Sequence, residues 1–498
     1  MGERAGRTRA AQATASVNTP LSIRNSIPPT LDATTDNAVD RRVRSTFGEA
    51  GPQPGRRRRA RRDRAVRSGV RSARSTGRES LPRPLQSRNR SATSRGSSAM
   101  SDGHVQVQVH GTVEPGFESV REEFATVVAN EARDGGAQLA VHHHGRLVVD
   151  LWGGDGVDGD SLLGLYSSSK GAMALVTALL VQDGVLDLDR EVASWWPEFA
   201  AEGKGRLTLR QLLAHRSGVI GADGGLSPDE LADDRAVAAR LAGQRPFWEP
   251  GTAHGYHALV IGPLVGEVVL RATGRTIQEL FEERVRAPYA LDYYLGLPEE
   301  LEPRFRTALP MLPTPAEQAL LAENPIAPDS LMAIAFNFHA DPPFDIVGYA
   351  NSRTVRARAP ISGGGVGSAR GLSRMYAAIA GELDGRAPLL KPDTLAEVAR
   401  IHSSGQDLVT GSTNAFGLGF VPLATRHPVL GPGAVGHSGA PGSQAFADPA
   451  AGLAYSYARR RFAFAAGPGA AENDRLIPAV VAAAARRNEI SGAAEGAV

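Results

Sequence analysis

The chain has 498 residues, enough for two or three domains, with 55 basic residues against 53 acidic ones and an ordinary hydrophobic fraction. It has no cysteine, which excludes disulfides, thiolate metal sites and cysteine nucleophiles. The near-neutral balance hides an asymmetry: residues 1–100 hold 22 arginines, no lysine and 7 acidic residues, net +15, and the remainder is net −13.

The first hundred or so residues (about 1–104) are rich in Arg, Ser and Pro and poor in aromatics, and show neither helical nor strand periodicity. Such a segment buries too little apolar surface to offset its ordering entropy, so a disordered basic tail is expected. Three origins compete. One is a basic arm for phosphates, centred on "GRRRRARRDR" at 55–64. Another is an organelle transit peptide. The third, the preferred expectation, is translation upstream of a true start at Met100, where "MSDGHVQVQVHGTVEPGF" begins ordinary patterning. No apolar h-region supports a secretory or twin-arginine signal, and apolar runs such as Ala172 to Val181 are too short to span a membrane. A cytoplasmic body without membrane or nucleic-acid partners is expected.

In chain order, Phe117 to Ala132 has apolar residues at helical spacing (Val120, Phe124, Val127, Val128). "AQLAVHHHGRLVVDLWGG" then predicts a hairpin, with strands at Gln138–His143 and Arg146–Leu151 turning at His144-Gly145. From Ser167 a helix is expected, its apolar positions at Met173, Val176, Leu179 and Leu180, capped at Asp183-Gly184. Helical segments follow at 207–214, 228–243, 257–273, 276–286, 368–382 and 392–402. Strands return at 434–439, 443–449 and 453–461, before a last helix over 473–487. Strands at both ends around a helical middle predict one sheet made from both chain ends. The expected division is an α/β subdomain of about 105–190 plus 425–498, with a mostly helical insertion of about 191–424.

The cations carry the first chemical signal. Only three are lysines (Lys170, Lys204, Lys391), against 52 arginines. Lys170 stands three residues after Ser167 in "GLYSSSKGAMALV". Residues i and i+3 share a helix face, so the Lys nitrogen can reach the Ser hydroxyl. A serine hydroxyl is a poor nucleophile until a base takes its proton. A buried lysine can become that base, its pKa falling by as much as ~3–5. Arginine cannot, because it stays protonated. The Ser167 N–H, in the first turn of the expected helix, is free for an oxyanion. The competing reading is a solvated surface lysine.

Two further elements fit this chemistry. "FWEPGTAHGYHALVIGPLVGEVV" puts Tyr256 between a Pro/Gly loop and an apolar helix. "VGHSGAPGSQAF" puts a strand beside a Gly-flanked turn, whose Ala440 N–H is a second candidate oxyanion donor. The order "SSSK" (167–170), "YHA" (256–258), "HSG" (437–439) resembles the serine β-lactamase/penicillin-binding-protein superfamily, on the class C β-lactamase-like branch nearest the family VIII carboxylesterases. "LTLRQLLAHRSGV", "WEPGT", "GGGVGSARGLSRMYAAI" and "ADPAAGLAYSY" add to the likeness, which spans nearly all of residues 105–487. It implies a β-lactamase-like α/β (α+β) fold, an antiparallel sheet flanked by helices. It also implies roles: Ser167 as acylated nucleophile, Lys170 as its base, and Tyr256 as proton relay to the leaving group and the deacylating water. The N–H groups of Ser167 and Ala440 form the oxyanion hole. His437 stands where many β-lactamases have Lys, and Gly439 keeps that strand close to the acyl group. Two departures stand out. The third residue of the Tyr motif is Ala258, not Asn, and the third motif begins with His437, not a permanent cation. Both weaken β-lactam recognition and leave acyl transfer intact, so a carboxylic esterase is expected, with no cofactor or metal. The alternatives are a β-lactamase or D-amino-acid peptidase, and a catalytically silent binding protein on the same scaffold.

Other features carry plainer expectations. "HHH" (142–144) reads as surface histidines of the hairpin, since at most His142 and His144 share a strand face. "SGGGVGSA" (362–369) lacks a P-loop's Lys-Ser/Thr and reads as a tight loop near the cleft. In "HRSG" (215–218) His215 reads as a helix cap. The absence of G-x-S-x-G argues against a nucleophile elbow. The aromatic- and Pro-rich stretch 305–360 reads either as a substrate-lining lid or as a surface connection.

Overall fold

In the computed structural model, which describes residues 108–130, 135–464 and 470–495 (side chains to 489), the strands alternate large and small side chains. The basic N-terminal segment, and every expectation placed on it, lies outside the described residues. The strands are β1 Val109–Val113, β2 Ala137–His143, β3 Arg146–Gly153, β4 Leu162–Gly164, β5 Tyr293–Tyr294, β6 Phe305–Arg306, β7 Val366–Gly367, β8 Ser403–Gln406, β9 Thr413–Phe416, β10 Val421–Pro422, β11 Val435–Ser438, β12 Gln444–Asp448 and β13 Leu453–Arg459. The main sheet runs β1-β3-β2-β13-β12-β11-β10, antiparallel throughout. Both chain ends build it, as their strand patterns predict, and β13 pairs with β2 at its centre.

Period-2 alternation decides what each face packs against. Leu139, Val141, Phe446, Tyr455 and Tyr457 pack with the helices Glu118–Asn130 and Asn473–Glu495 through Phe124, Leu476 and Val480. Ala140, Ala445, Ala447, Ala454 and Ala458 face the other way, among Leu372, Met375 and Tyr376 of the helix Ala369–Ala380. Small side chains there let that helix approach the sheet closely. The helix Lys170–Gln182 lies in the same core and is buried all round from Lys170 to Leu180.

Several expectations are refined. The edge strand β1, which pairs with β3, falls in a stretch for which no element was expected. The hairpin turns where expected, with His144 at φ 46° and Gly145 at φ 73°. Its histidines correct the surface reading, because only His144 is exposed. His142 is buried and bonds Ser373 Oγ through Nδ1, and His143 is buried with its ring edge-on to Phe117. The segment 228–243 is two helices, Pro228–Leu231 and Asp234–Ala242, because the Asp233 side chain caps a new start. The segment 276–286 is α-helical only to Phe281 and then widens into a π-turn, Glu282–Arg286. The apolar helix expected from 257 begins at Ile261, which leaves Tyr256 on irregular backbone.

A second, smaller sheet, β5-β7-β4-β6, positions Ser167. β4 leads straight into Tyr166, and β7 follows the glycine loop. Their pairing, Leu163 with Gly367 and Gly164 with Val366, therefore clamps that loop beside Ser167.

Candidate active site

Ser167 does not open an α-helix. Tyr166–Ser169 form a 3-10 turn, and the α-helix runs Lys170–Gln182. The difference matters, because side chains at i and i+3 of a 3-10 turn eclipse instead of being offset. Ser167 and Lys170 therefore stand one above the other, with Nζ 3.0 Å from Oγ. Tyr166, at φ 47°, is left-handed and turns the chain from β4 into this element.

Lys170 is 1 % exposed, and its second partner is a carbonyl: Nζ donates to Ser362 O at 2.7 Å. Among the described residues no carboxylate pairs with it, and burial pulls its pKa from 10.5 to about 7. The glycine loop supplies the carbonyl. Gly365 N donates to Ser169 Oγ at 3.0 Å and Leu165 N donates to Gly365 O at 2.9 Å, so loop and nucleophile turn are tied twice. A Cβ on Gly365 would sit 2.6 Å from Ser169 Oγ.

The Tyr256 hydroxyl lies within hydrogen-bonding reach of Ser167, and its ring centroid is 5.3 Å from Lys170 Nζ. Burial first, and then the negative charge of Asp407, raise its pKa, although the Ser167 contact opposes this. Tyr256 is thus a neutral phenol at pH 7 beside a lysine that has lost much of its charge. Its ring stacks on Phe416 at 6.2 Å, tilts over His215 at 5.4 Å and faces His437 at 6.1 Å.

His437 sits on β11. Burial, and then the Lys170 charge, depress its pKa to about 3. Its Nδ1 faces Ser438 O at 2.8 Å, so that nitrogen carries the proton and Nε2, buried and without a partner, presents a lone pair. Gly439 is where this strand meets the nucleophile turn, since a Cβ there would lie 2.5 Å from Leu165 O. Ala440 is exposed in the turn that Gly442 N closes onto Gly439 O at 2.9 Å. The structure therefore gathers Ser167, Lys170, Tyr256 and His437, with Gly439 against the same turn. Ala258 is buried in the apolar cluster around Tyr256.

Several supporting residues were not singled out from the sequence. Asp407, fully buried, accepts from Tyr256 N through both oxygens at 3.2 Å, from Val409 N and Thr410 N at 2.9 Å each, and from Asn414 Nδ2 at 3.1 Å. The bonds to Val409 and Thr410 are an Asx turn legible locally in "QDLVTG". The bond to Tyr256 spans 151 positions and is not. His215 corrects the capping expectation. It is buried at φ 59°, and its Nδ1 accepts from His257 N at 3.1 Å. His257 in turn donates through Nδ1 to Gly255 O at 2.6 Å. Burial lowers both histidines' pKa values, that of His257 to about 4. They brace the Tyr256 loop as neutral rings. Among the described residues no cluster of His, Asp or Glu is placed to hold a metal, and no helix is long and apolar enough to cross a membrane.

Comparison with known proteins identifies the family. A profile of the Beta-lactamase family matches residues 121–478. The chain is 30 % identical over 388 residues to the esterase/beta-lactamase LipL of Mycobacterium tuberculosis, covering 71 % of this chain and 83 % of that protein. The structure of EstA from Arthrobacter nitroguajacolicus Rue61a superposes with a TM-score of 0.69 at 40 % identity, covering 75 % of this chain and 98 % of that one. A family VIII carboxylesterase gives 0.67 at 34 % identity, covering 76 % and 100 %. The chain belongs to the beta-lactamase family, as a serine hydrolase of that fold.

Proposed function

We propose that this enzyme hydrolyses carboxylic esters through an acyl-enzyme on Ser167. The observation that carries this reading is the buried Lys170, its Nζ 3.0 Å from Ser167 Oγ with a pKa brought to about 7. In the neutral form Lys170 takes the Ser167 proton as Oγ attacks the ester carbonyl. The negative charge that develops on the carbonyl oxygen goes to the N–H groups of Ser167 and Ala440. As the intermediate collapses, the C–O bond to the alcohol breaks, and the leaving oxygen takes the proton held by Lys170, relayed through Tyr256. Water then repeats the sequence: it loses a proton to the same pair, attacks the acyl carbon, and frees Ser167 and the acid. Since the Tyr256 phenol holds its proton more tightly than Lys170, the lysine is the base and the tyrosine the conduit.

Esters are favoured over β-lactams by what the third motif offers. A β-lactam carboxylate seeks a cation at position 437. His437 is neutral, so it offers an anion no positive charge, and its buried Nε2 has only a lone pair to present. Ala258 supplies no amide for a β-lactam side chain. The names of the relatives, EstA and a family VIII carboxylesterase among them, support the same choice.

The test is a panel of p-nitrophenyl esters beside a chromogenic cephalosporin, with wild type and Ser167→Ala. Ester turnover that disappears in Ser167→Ala, with slower cephalosporin turnover, is expected. Faster cephalosporin turnover would refute the ester reading. Labelling of Ser167 by a fluorophosphonate, read by mass spectrometry, separates an enzyme from a silent binding protein.

A further inference from the structure

The segment from Leu312 to Ser330 contains no buried residue. Its one helix, Pro315–Glu323, has a complete capping box at Thr314 and Glu317 but no core to pack on. Among the described residues eight large hydrophobic side chains are exposed, and four of them are here: Leu312 at 60 %, Leu320 at 50 %, Leu321 at 47 % and Ile326 at 46 %. Scattered exposed leucines are ordinary, but this concentration in one excursion is not.

The two ends of the excursion are held firmly, one in the apolar cluster of Tyr166 and the other in that of Tyr256. At the near end Leu309 N donates to Arg460 O at 3.0 Å, and Phe462 N donates to Leu309 O at 3.0 Å. Met311 then packs into an apolar cluster with Tyr166 and Phe462, beside the nucleophile. At the far end Leu331, Ile334 and Phe336 pack into a second apolar cluster with Tyr256, Trp248 and Val409. There Asn337 exchanges two 2.8 Å hydrogen bonds with the backbone of Leu226. One stem thus joins the apolar cluster of Tyr166, which precedes Ser167 in the chain, the other joins that of Tyr256, and the exposed leucines lie on the segment between them.

Building on the ester reading above, we propose that Leu312 to Ser330 is a tail-binding flap. Its exposed leucines cover the apolar arm of an ester too long for the two clusters to enclose. The favoured substrate class is accordingly esters with one extended hydrocarbon arm, on the acyl or the alcohol side. Continuity with both clusters argues for this occupant over a second copy of the chain. The residues that bound the excursion, Met311 and Leu331, belong to the clusters of Tyr166, next to Ser167 in the chain, and of Tyr256.

The experiment compares wild type with the double variant Leu320→Ser/Leu321→Ser. Both positions are half exposed, so the fold is expected to survive, and a melting curve verifies it. The readout is the ratio of kcat/KM for octanoate to that for acetate among p-nitrophenyl esters, repeated with octyl against ethyl acetate. In wild type the long substrate is favoured in at least one series. In the variant that ratio falls about tenfold, mostly through KM, as expected for one leucine's worth of lost burial. An unchanged ratio in both series overturns the proposal. If the variant instead shifts the oligomeric state in light scattering and leaves the ratio alone, the surface is a contact between copies and the proposal fails. Equilibrium dialysis of octyl acetate against Ser167→Ala, with and without the leucine changes, reads the same contact without turnover. If wild type hydrolyses no ester, the proposed function falls. The flap is then judged by dialysis alone, and equal binding by both proteins overturns it.

Discussion

Asp407 holds the backbone N–H of Tyr256 with both carboxylate oxygens, each 3.2 Å away. The bond joins a turn late in the chain to the proposed proton relay, and it does so with a formal negative charge that, after burial, raises the Tyr256 pKa. Asp407→Asn keeps the volume but turns an NH2 toward donors. We expect kcat for ester hydrolysis to fall roughly ten- to a hundredfold with KM within about threefold, because the relay is displaced and not the binding wall. The altered pH profile separates this from simple unfolding: with the charge gone, the Tyr256 limb should move to lower pH. An unchanged kcat and profile would reduce Asp407 to a structural part.

Lys170 makes the reaction pH-dependent in a defined direction. It must be neutral to accept the Ser167 proton, and its pKa is about 7. The rate constant kcat/KM should therefore rise about tenfold per pH unit well below 7 and level off above it. A flat profile from pH 5 to 9 would remove Lys170 as the base.

The same group has a stability signature. Its pKa is about 7 when folded against 10.5 for the free side chain. Below pH 7 both states carry the proton, and the fold bears the full cost of a buried cation. Between 7 and 10.5 the unfolded chain binds more protons, so stability rises with pH. Lys170→Met should thus raise the melting temperature most near pH 6, by an amount worth a few kcal/mol at the order-of-magnitude level. The gain should shrink toward pH 10. Differential scanning calorimetry of both proteins at the two pH values checks the sign.

Gly439 keeps β11 against the nucleophile turn, with an added Cβ 2.5 Å from Leu165 O. Gly439→Ala must push the strand and turn apart. Ester turnover should drop by about a hundredfold or more, since a displacement near 1 Å at reacting groups costs that much. Fluorophosphonate labelling of Ser167 should slow in parallel.

His437→Lys puts a cation where a neutral ring now stands. The ratio of cephalosporin to ester turnover should climb about tenfold, a single charge-assisted contact being worth roughly 1.5–3 kcal/mol. Steady-state rates on the two chromogenic substrates settle it, and an unchanged ratio would mean that position 437 does not select substrate charge.

Much of this site is legible in the amino-acid order because local chemistry writes it. Ser167 and Lys170 are three positions apart, a rare lysine marks the pair, and the strands at both ends alternate strongly enough to predict a shared sheet. The hairpin turn at His144-Gly145 is equally local. The misread histidines show where this stops. His142 and His215 are polar residues whose burial depends on which distant segment covers them, Ser373 in one case and His257 in the other.

The linear chain therefore supplied the components of the proposed reaction: a candidate nucleophile at Ser167, a candidate base of adjustable pKa at Lys170, and the absence of a permanent cation at 437. Tertiary structure decided whether those components could work. Lysine loses its charge only where burial withholds water, and that burial comes from the Ser362 loop, 192 positions away. The Tyr256 loop is held by Asp407 and by the His215–His257 pair, and the stems of one excursion join the apolar clusters of Tyr166 and Tyr256. Desolvation and long-range hydrogen bonds belong to the assembled surroundings of a residue, and no short window of sequence contains them.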